Sequence, residues 1–298
     1  MAPDSPDARF FPRFSRSQLD VNGTRINAVH GGAGPPILLL HGYPQTHVAW
    51  HRVAPSLAER FTVVCPDLRG YGDSAKPPSD ERHEQYSKRV MAQDQVELMQ
   101  TLGFERFAVV GHDRGARVAR RMALDHPDCV RRLAVLDIVP TRAIYETLTQ
   151  ARATTVWRYL FLVQPALPER LIGADPGFYL DWTLQEWCGT PGALTAAAVS
   201  EYRRCFDSST VHAGCEDYRA GATVDLVHDQ ADADRSIACP VLVLWSEQGI
   251  GSSYDVLSIW REQADDVRGR ALDSGHFLAE ERPAAITAEL LAFCSLDS

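Results

Sequence analysis

The stretch "VVGHDRGARV", residues 109–118, joins three patterns within ten positions. An apolar, strand-like run that starts at Phe107 meets a glycine-framed turn from Gly111 to Gly115, and helical spacing follows from Ala116. A strand that runs through a tight turn into a helix is the repeating unit of a parallel sheet, and here it leaves Asp113 at the bend. Similar apolar runs flank it: "PPILLLHG" (35–42), "FTVVCPD" (61–67), "RLAVLDIVP" (132–140) and "CPVLVLWSE" (239–247). Each is short and rich in Val, Ile and Leu, as strands covered on both faces should be. "TRINAVHGG" (24–32) alternates and predicts a leading antiparallel strand. Helices are predicted over "SKRVMAQDQVELMQTLG" (87–103), "ARVARRMALDHP" (116–127) and "PAAITAELLAFCSL" (283–296). The fold class expected is α/β, a mostly parallel doubly wound sheet.

The strand rhythm stops after Pro140. Residues 141–225 read as helical, broken by Gly and Pro and rich in aromatics such as Trp157, Tyr159, Trp182, Trp187 and Tyr218. The expected organisation is a core from 1–140 and 226–298 with a helical cap, or lid, at 141–225. Most of the cap aromatics are expected to form its own core.

The 298-residue chain is 45% hydrophobic and 23% charged, with a net charge of −9. That charge disfavours nucleic acid or an anionic membrane surface as partner, yet leaves a small anion open, because a site's field need not follow the total. No apolar run reaches the roughly 18 residues of a membrane span. The N-terminal "MAPDSPDARFFPRF" has no apolar signal core. Seven scattered cysteines without Cys-x-x-Cys spacing read as reduced thiols, so a cytoplasmic protein is expected. No metal-ligand cluster or dinucleotide fingerprint is seen, and no cofactor is expected.

Asp113 has two readings on position alone. It is either an N-cap of the following helix, or a carboxylate pointed out of the C-terminal edge of the sheet, where open α/β sheets bind ligands. Two further motifs favour the second. "HGYPQTHVAW" (41–50) follows a strand directly, and its backbone N–H at Tyr43, with that of Arg114, would form an oxyanion hole. "DSGHFLAEERP" (273–283) places His276 in a glycine-flanked loop before the last helix, where it suits a general base.

With "HGYPQ", "DLRGYGDS", "GHDRGA" and "SGHF" together, the chain resembles enzymes of the α/β-hydrolase fold from about Leu19 to Leu296. The aspartate at the elbow narrows the resemblance to dehalogenases and epoxide hydrolases. "HGYPQTHVAWHRVAP", "GHDRGARV", "LAVLDIVPT" and "CEDYRAGA" are similar to the fluoroacetate (haloacetate) dehalogenases. The resemblance implies Asp137, in "LAVLDIVPT", as the acid that orients His276. Glu247 ranks second, because many relatives place the acid after the strand that reads "VLVLWSEQGI" here. It also implies a homodimer, which the periodicity does not show.

An aspartate can displace halide from a saturated carbon in one in-line step, giving an ester that water activated by His276 then hydrolyses. Arg114 and Arg117 are three apart at the mouth of the helix and suit a grip on the carboxylate of a small anionic organic substrate. Arg120 and Arg121 are expected on a solvated face. For the leaving group, the dehalogenases use a lid His-Trp pair and a tyrosine. The tyrosine matches Tyr218, but the ungapped pair in "VWRYLFLVQPALPE" is Arg158-Tyr159, with Trp157 one position early. That departure supports a runner-up, an epoxide hydrolase with Tyr159 and Tyr218 as ring-opening acids. A non-catalytic ligand-binding member of the fold is the third reading.

Overall fold

In the computed structural model the described residues are 8–295; part of the N-terminal stretch read for a signal core lies outside them. An eight-stranded sheet runs in the order β1-β2-β4-β3-β5-β6-β7-β8. The strands are β1 (Ser15–Val21), β2 (Thr24–Gly31), β3 (Pro36–Leu40), β4 (Thr62–Pro66), β5 (Phe107–His112), β6 (Val130–Leu136), β7 (Val241–Ser246) and β8 (Val267–Leu272). β1, β2 and β4 pair antiparallel, and every other neighbouring pair is parallel. The five apolar runs are strands, β3 to β7, for the expected reason. All six residues of β5 are buried, as are the last four of β3, so both faces are covered by helices.

Two edge strands were not expected. β1 is half-exposed, and β8 reads Val-Arg-Gly-Arg-Ala-Leu, with alternating partial exposure. Their outer faces meet water, so their apolar signal is diluted.

The helices Lys88–Thr101, Arg114–Asp125 and Pro283–Cys294 form where predicted. Ser87 caps the first of them, accepting a hydrogen bond from the Val90 N–H. Between β6 and β7 the described elements are all helices, from Thr141–Glu146 to Val224–Ala231, so the helical stretch runs past residue 225. Arg121 is not on a solvated face. It is buried, and it pairs with Asp125 and with Asp232 just after the last of these helices. Arg120 pairs with Asp229 at 2.7 Å. Basic residues read as a wet surface instead fasten the inserted helices to the helix that follows Asp113. Among the described residues no helix is long and apolar enough to cross a membrane.

Candidate active site

The parallel strands bring the motifs together at one edge. His41 directly follows β3, Asp113 follows β5, Asp137 follows β6, and the loop after β8 carries His276. Asp113 sits at φ 47°, ψ −116°, outside the common regions for an L-residue. The turn is that tight because the helix packs close on the sheet. A Cβ on Gly115 would lie 2.3 Å from the His41 carbonyl oxygen, and one on Gly42 would lie 2.5 Å from the Asp113 Cβ. The Asp113 side chain makes no capping bond to its own helix. Its Oδ2 instead accepts the Tyr43 N–H at 3.0 Å. Of its two positional readings, the geometry gives the outward carboxylate. The Arg114 N–H, at the first helical residue, has no intrahelical acceptor.

His41 is a scaffold residue. Its Nδ1 donates to the Gly42 carbonyl at 3.0 Å and its Nε2 accepts the Leu68 N–H at 3.0 Å. Asp67, opening "DLRGYGDS", accepts from the backbone and ring of His47, both at 2.8 Å, and so secures the loop after β3.

His276 Nδ1 donates to Asp137 Oδ2 at 2.6 Å, while Asp137 Oδ1 accepts the Ser246 N–H at 2.8 Å. Glu247 is exposed, and Asp137 occupies the ring nitrogen it would need. His276 Nε2 is buried without a partner among the described residues. Burial pushes the His276 pKa down, but the bond and charge of Asp137, with the charge of Asp113, lift it above the ordinary 6.5. Burial raises the Asp113 pKa, and the nearby His276, His112, Arg114 and Arg117 outweigh it, holding the carboxyl below its usual range. At neutral pH Asp113 is therefore an anion.

The two arginines diverge. Arg114 was expected to share the grip on a substrate carboxylate. Instead its Nε and Nη2 donate to the Asp217 carboxylate at 3.0 and 2.6 Å, and its guanidinium lies beneath the Tyr218 ring. Asp217 also takes Lys88 and the Tyr71 hydroxyl. Helical spacing put both arginines on one face, but a buried acid on the helix Ser208–Ala222 draws one of them away. Arg117 is 5% exposed and has no carboxylate partner among the described residues. Its Nη1 donates to the Val139 carbonyl and to Thr141 Oγ1 at 3.1 and 2.6 Å, and its Nη2 to the Tyr159 hydroxyl at 2.7 Å.

A cavity of about 380 Å³ opens over Asp113, lined among others by Arg117, Asp137, Arg158, Tyr159, Trp187, Tyr218 and His276. Arg114 and Trp157 are not among its lining residues. Trp157, expected in the leaving-group pocket, packs on Phe161 and Trp182 with ring centroids 5.7 and 5.9 Å away. Arg158 is buried, paired with Glu186, and lies 4.6 to 4.7 Å from the rings of Trp157, Trp182 and Trp187. Tyr159 and Tyr218 meet edge to face at 5.2 Å.

Trp187 was passed over as a cap-core aromatic. Its carbonyl accepts the His276 N–H at 2.8 Å and its ring lies 4.9 Å from the imidazole. Asp217 was also missed, although it lies in the quoted "CEDYRAGA" directly before Tyr218.

An aspartate elbow, a histidine–acid pair and a backbone donor at the end of a parallel sheet define an α/β hydrolase. A family model described as alpha/beta hydrolase fold matches residues 35–283, and the chain belongs to that family. It is 47% identical to a fluoroacetate dehalogenase of Burkholderia sp over 92% of this chain and 91% of that one. It is 34% identical to a soluble epoxide hydrolase of Corynebacterium sp. (strain C12), over 93% of this chain and 96% of that one. The solved structure of ALR0039 from Nostoc sp PCC 7120 is 55% identical, with a TM-score of 0.94, covering 95% of this chain and 98% of that one.

Proposed function

We propose that this hydrolase cleaves the carbon–halogen bond of a small 2-haloacid of the haloacetate type. The observation that carries the reading is Arg117, a buried guanidinium without a carboxylate partner among the described residues, on the same cavity as Asp113. A buried cation of that kind is completed by an anion from outside. A 2-haloacid brings its carboxylate to Arg117 and its halogen-bearing carbon to Asp113.

Asp113 Oδ attacks that carbon, the carbon–halogen bond breaks, and halide leaves with the bonding pair. Gripping the carboxylate turns the displacement into an oriented, near-attack arrangement. Arg158, Tyr159 and Tyr218 surround the departing anion, and the helices from 141 onward act as a cap that keeps bulk water from it. Water then gives a proton to His276 Nε2 and attacks the Asp113 ester carbonyl. Asp137 steadies the imidazolium, and the N–H groups of Tyr43 and Arg114 receive the oxyanion. The bond from the Asp113 carbonyl carbon to the substrate oxygen breaks, that oxygen takes the proton held by His276 and leaves as the hydroxyacid, and the Asp113 carboxyl releases its remaining proton to solvent.

A second reading, hydrolysis of neutral epoxides, draws on the phenols of Tyr159 and Tyr218 at the same cavity. It leaves the Arg117 guanidinium without a carboxylate in hydrogen-bond contact. Incubation with chloro-, bromo- and fluoroacetate, and separately with styrene oxide, tests the choice. Halide and hydroxyacetate are expected from the acids. Diol from styrene oxide with no halide from any acid would overturn the proposal.

A further inference from the structure

We infer that the cavity also accepts 2-halodicarboxylates, acids with a second carboxylate beyond the halogen-bearing carbon, and that Arg152 holds that second carboxylate. The inference rests on the reading of Asp113 and Arg117 given above and adds a second anion position to it. A haloacetate has two carbons. A cavity of about 380 Å³ is of the size that takes much larger ligands, so most of it lies beyond the reacting carbon. Its mouth is marked by Thr154, Thr155 and Gln248, which line it and are exposed, along with half-buried Arg152 and Ser253.

Arg152 has no carboxylate partner among the described residues. Its Nη1 donates to the Thr147 carbonyl at 2.9 Å and its Nη2 to the Ser253 carbonyl at 2.8 Å, and its guanidinium lies 4.4 Å from the centre of the Tyr254 ring. These neutral partners orient the side chain without meeting its charge. They use two of the five N–H donors that a guanidinium carries. Glu186, the acid that lines the outer part of the cavity, is taken by Arg158. Arg117 and Arg152 are therefore the lining arginines left without a carboxylate. One short helix spaces them. Arg117 Nη1 bonds Thr141 at the start of the six-residue helix Thr141–Glu146, and Arg152 Nη1 bonds Thr147 directly after its end. At 1.5 Å per residue the two anchor points stand about 9 Å apart. Ile144 of the same helix lines the cavity. With a carboxylate seated about 3 Å from each guanidinium, a chain of a few carbons fills the gap.

The carboxylate next to the halogen-bearing carbon goes to Arg117, as that of a haloacetate does. The tail runs toward the mouth, and its carboxylate accepts charge-assisted hydrogen bonds from Arg152. An Asp113 oxygen bonds to the halogen-bearing carbon, the carbon–halogen bond breaks, and halide leaves with the bonding pair. Water then hydrolyses the ester through His276. The second carboxylate takes no part in bond making or breaking. The sum is one halodicarboxylate and one water giving one hydroxydicarboxylate, one halide and one proton. A neutral tail of the same length leaves Arg152 with its carbonyl partners alone, so the site discriminates by charge at the tail.

The test runs the purified protein on chloroacetate, 2-chlorosuccinate and 2-chlorobutyrate in parallel, measuring chloride and the hydroxyacid with the enzyme-free rate subtracted. The last two acids share a chain length and differ in the charge of the tail. 2-Chlorosuccinate is expected to give 2-hydroxysuccinate with kcat/KM at least about fivefold above that for 2-chlorobutyrate. Chloride from chloroacetate, with 2-chlorosuccinate no faster than 2-chlorobutyrate, overturns this inference and leaves the haloacid reading standing. No chloride from any of the three overturns both. Arg152→Gln should bring the ratio of 2-chlorosuccinate to 2-chlorobutyrate turnover close to one, and Arg152→Lys, which keeps the charge, should retain most of it. An unchanged ratio in Arg152→Gln removes Arg152 from the role. Should that variant fail to fold, inhibition of the parent's chloroacetate turnover reports instead. Succinate is expected to inhibit at a concentration at least about fivefold below that of butyrate, and equal inhibition contradicts the proposal.

Discussion

Oδ2 of Asp137 lies 2.6 Å from Nδ1 of His276, although 139 positions separate them in the chain. The fold makes this contact. Asp137 directly follows β6, β7 is that strand's neighbour, and β8 beyond delivers the loop that holds His276. The loop is fastened through four backbone polar groups around the ring. Glu281 accepts the N–H groups of Gly275 and Phe277 at 2.8 and 3.0 Å, His112 Nε2 donates to the His276 carbonyl at 2.8 Å, and Trp187 takes the His276 N–H. The Asp137 bond fixes the proton on Nδ1 and leaves the Nε2 lone pair free to accept one.

That bond predicts a pH dependence. His276 must be neutral to accept a proton, so turnover should rise with pH through a pKa above 6.5. Asp137→Asn removes the bond and charge that lift this pKa while burial still lowers it. The rising limb should move to lower pH, and kcat should fall roughly 10²- to 10⁴-fold. Glu247→Gln should change neither, because Glu247 is exposed. Rate profiles from pH 5 to 9 on the two variants check this, and a large effect of Glu247→Gln alone would transfer the role.

Arg117→Ala should raise KM for a haloacetate about 10- to 100-fold, as loss of a charge-assisted hydrogen bond does. Turnover of a neutral epoxide should be much less affected. Equal losses on both substrates would make Arg117 a structural residue, holding Tyr159 and Thr141 in place.

Which parts were legible follows from where signals are concentrated. The central strands could be read because burial on both faces leaves unbroken apolar runs, as in Ile37 to Leu40. Asp113 and His276 could be read because each is framed by glycines that the close approach of backbones requires. Arg114 misled because helical spacing reports a shared face and not the partner across from it. Asp217, on a helix about a hundred residues later, decided where that guanidinium went. Trp187 was hidden for a related reason. One more aromatic in an aromatic-rich segment carries no local mark of its contact with His276.

Glu280 gives a stability prediction. It is buried, with Oε2 accepting from Gln45 Nε2, and burial pushes its pKa up to about 8 against the bonds from Tyr202 and Gln45. Between the ordinary 4.5 and about 8 the folded state holds a proton that the unfolded chain has lost. Fewer protons are then bound on unfolding, so this group's contribution to stability falls as pH rises through that window. Glu280→Gln, which keeps a neutral side chain, should gain thermal stability relative to the parent between pH 5 and 8. Melting curves across that range check it, and a constant difference in Tm would contradict it.

The central claim is that the substrate carbon becomes covalently bound to Asp113 before water releases it. One turnover in heavy-oxygen water, with enzyme in excess over chloroacetate, tests this most directly. The heavy oxygen should appear in the Asp113 carboxylate, read by peptide mass spectrometry, while the hydroxyacetate carries an ordinary oxygen drawn from that side chain. Label found in the product hydroxyl, with none in Asp113, would contradict the account.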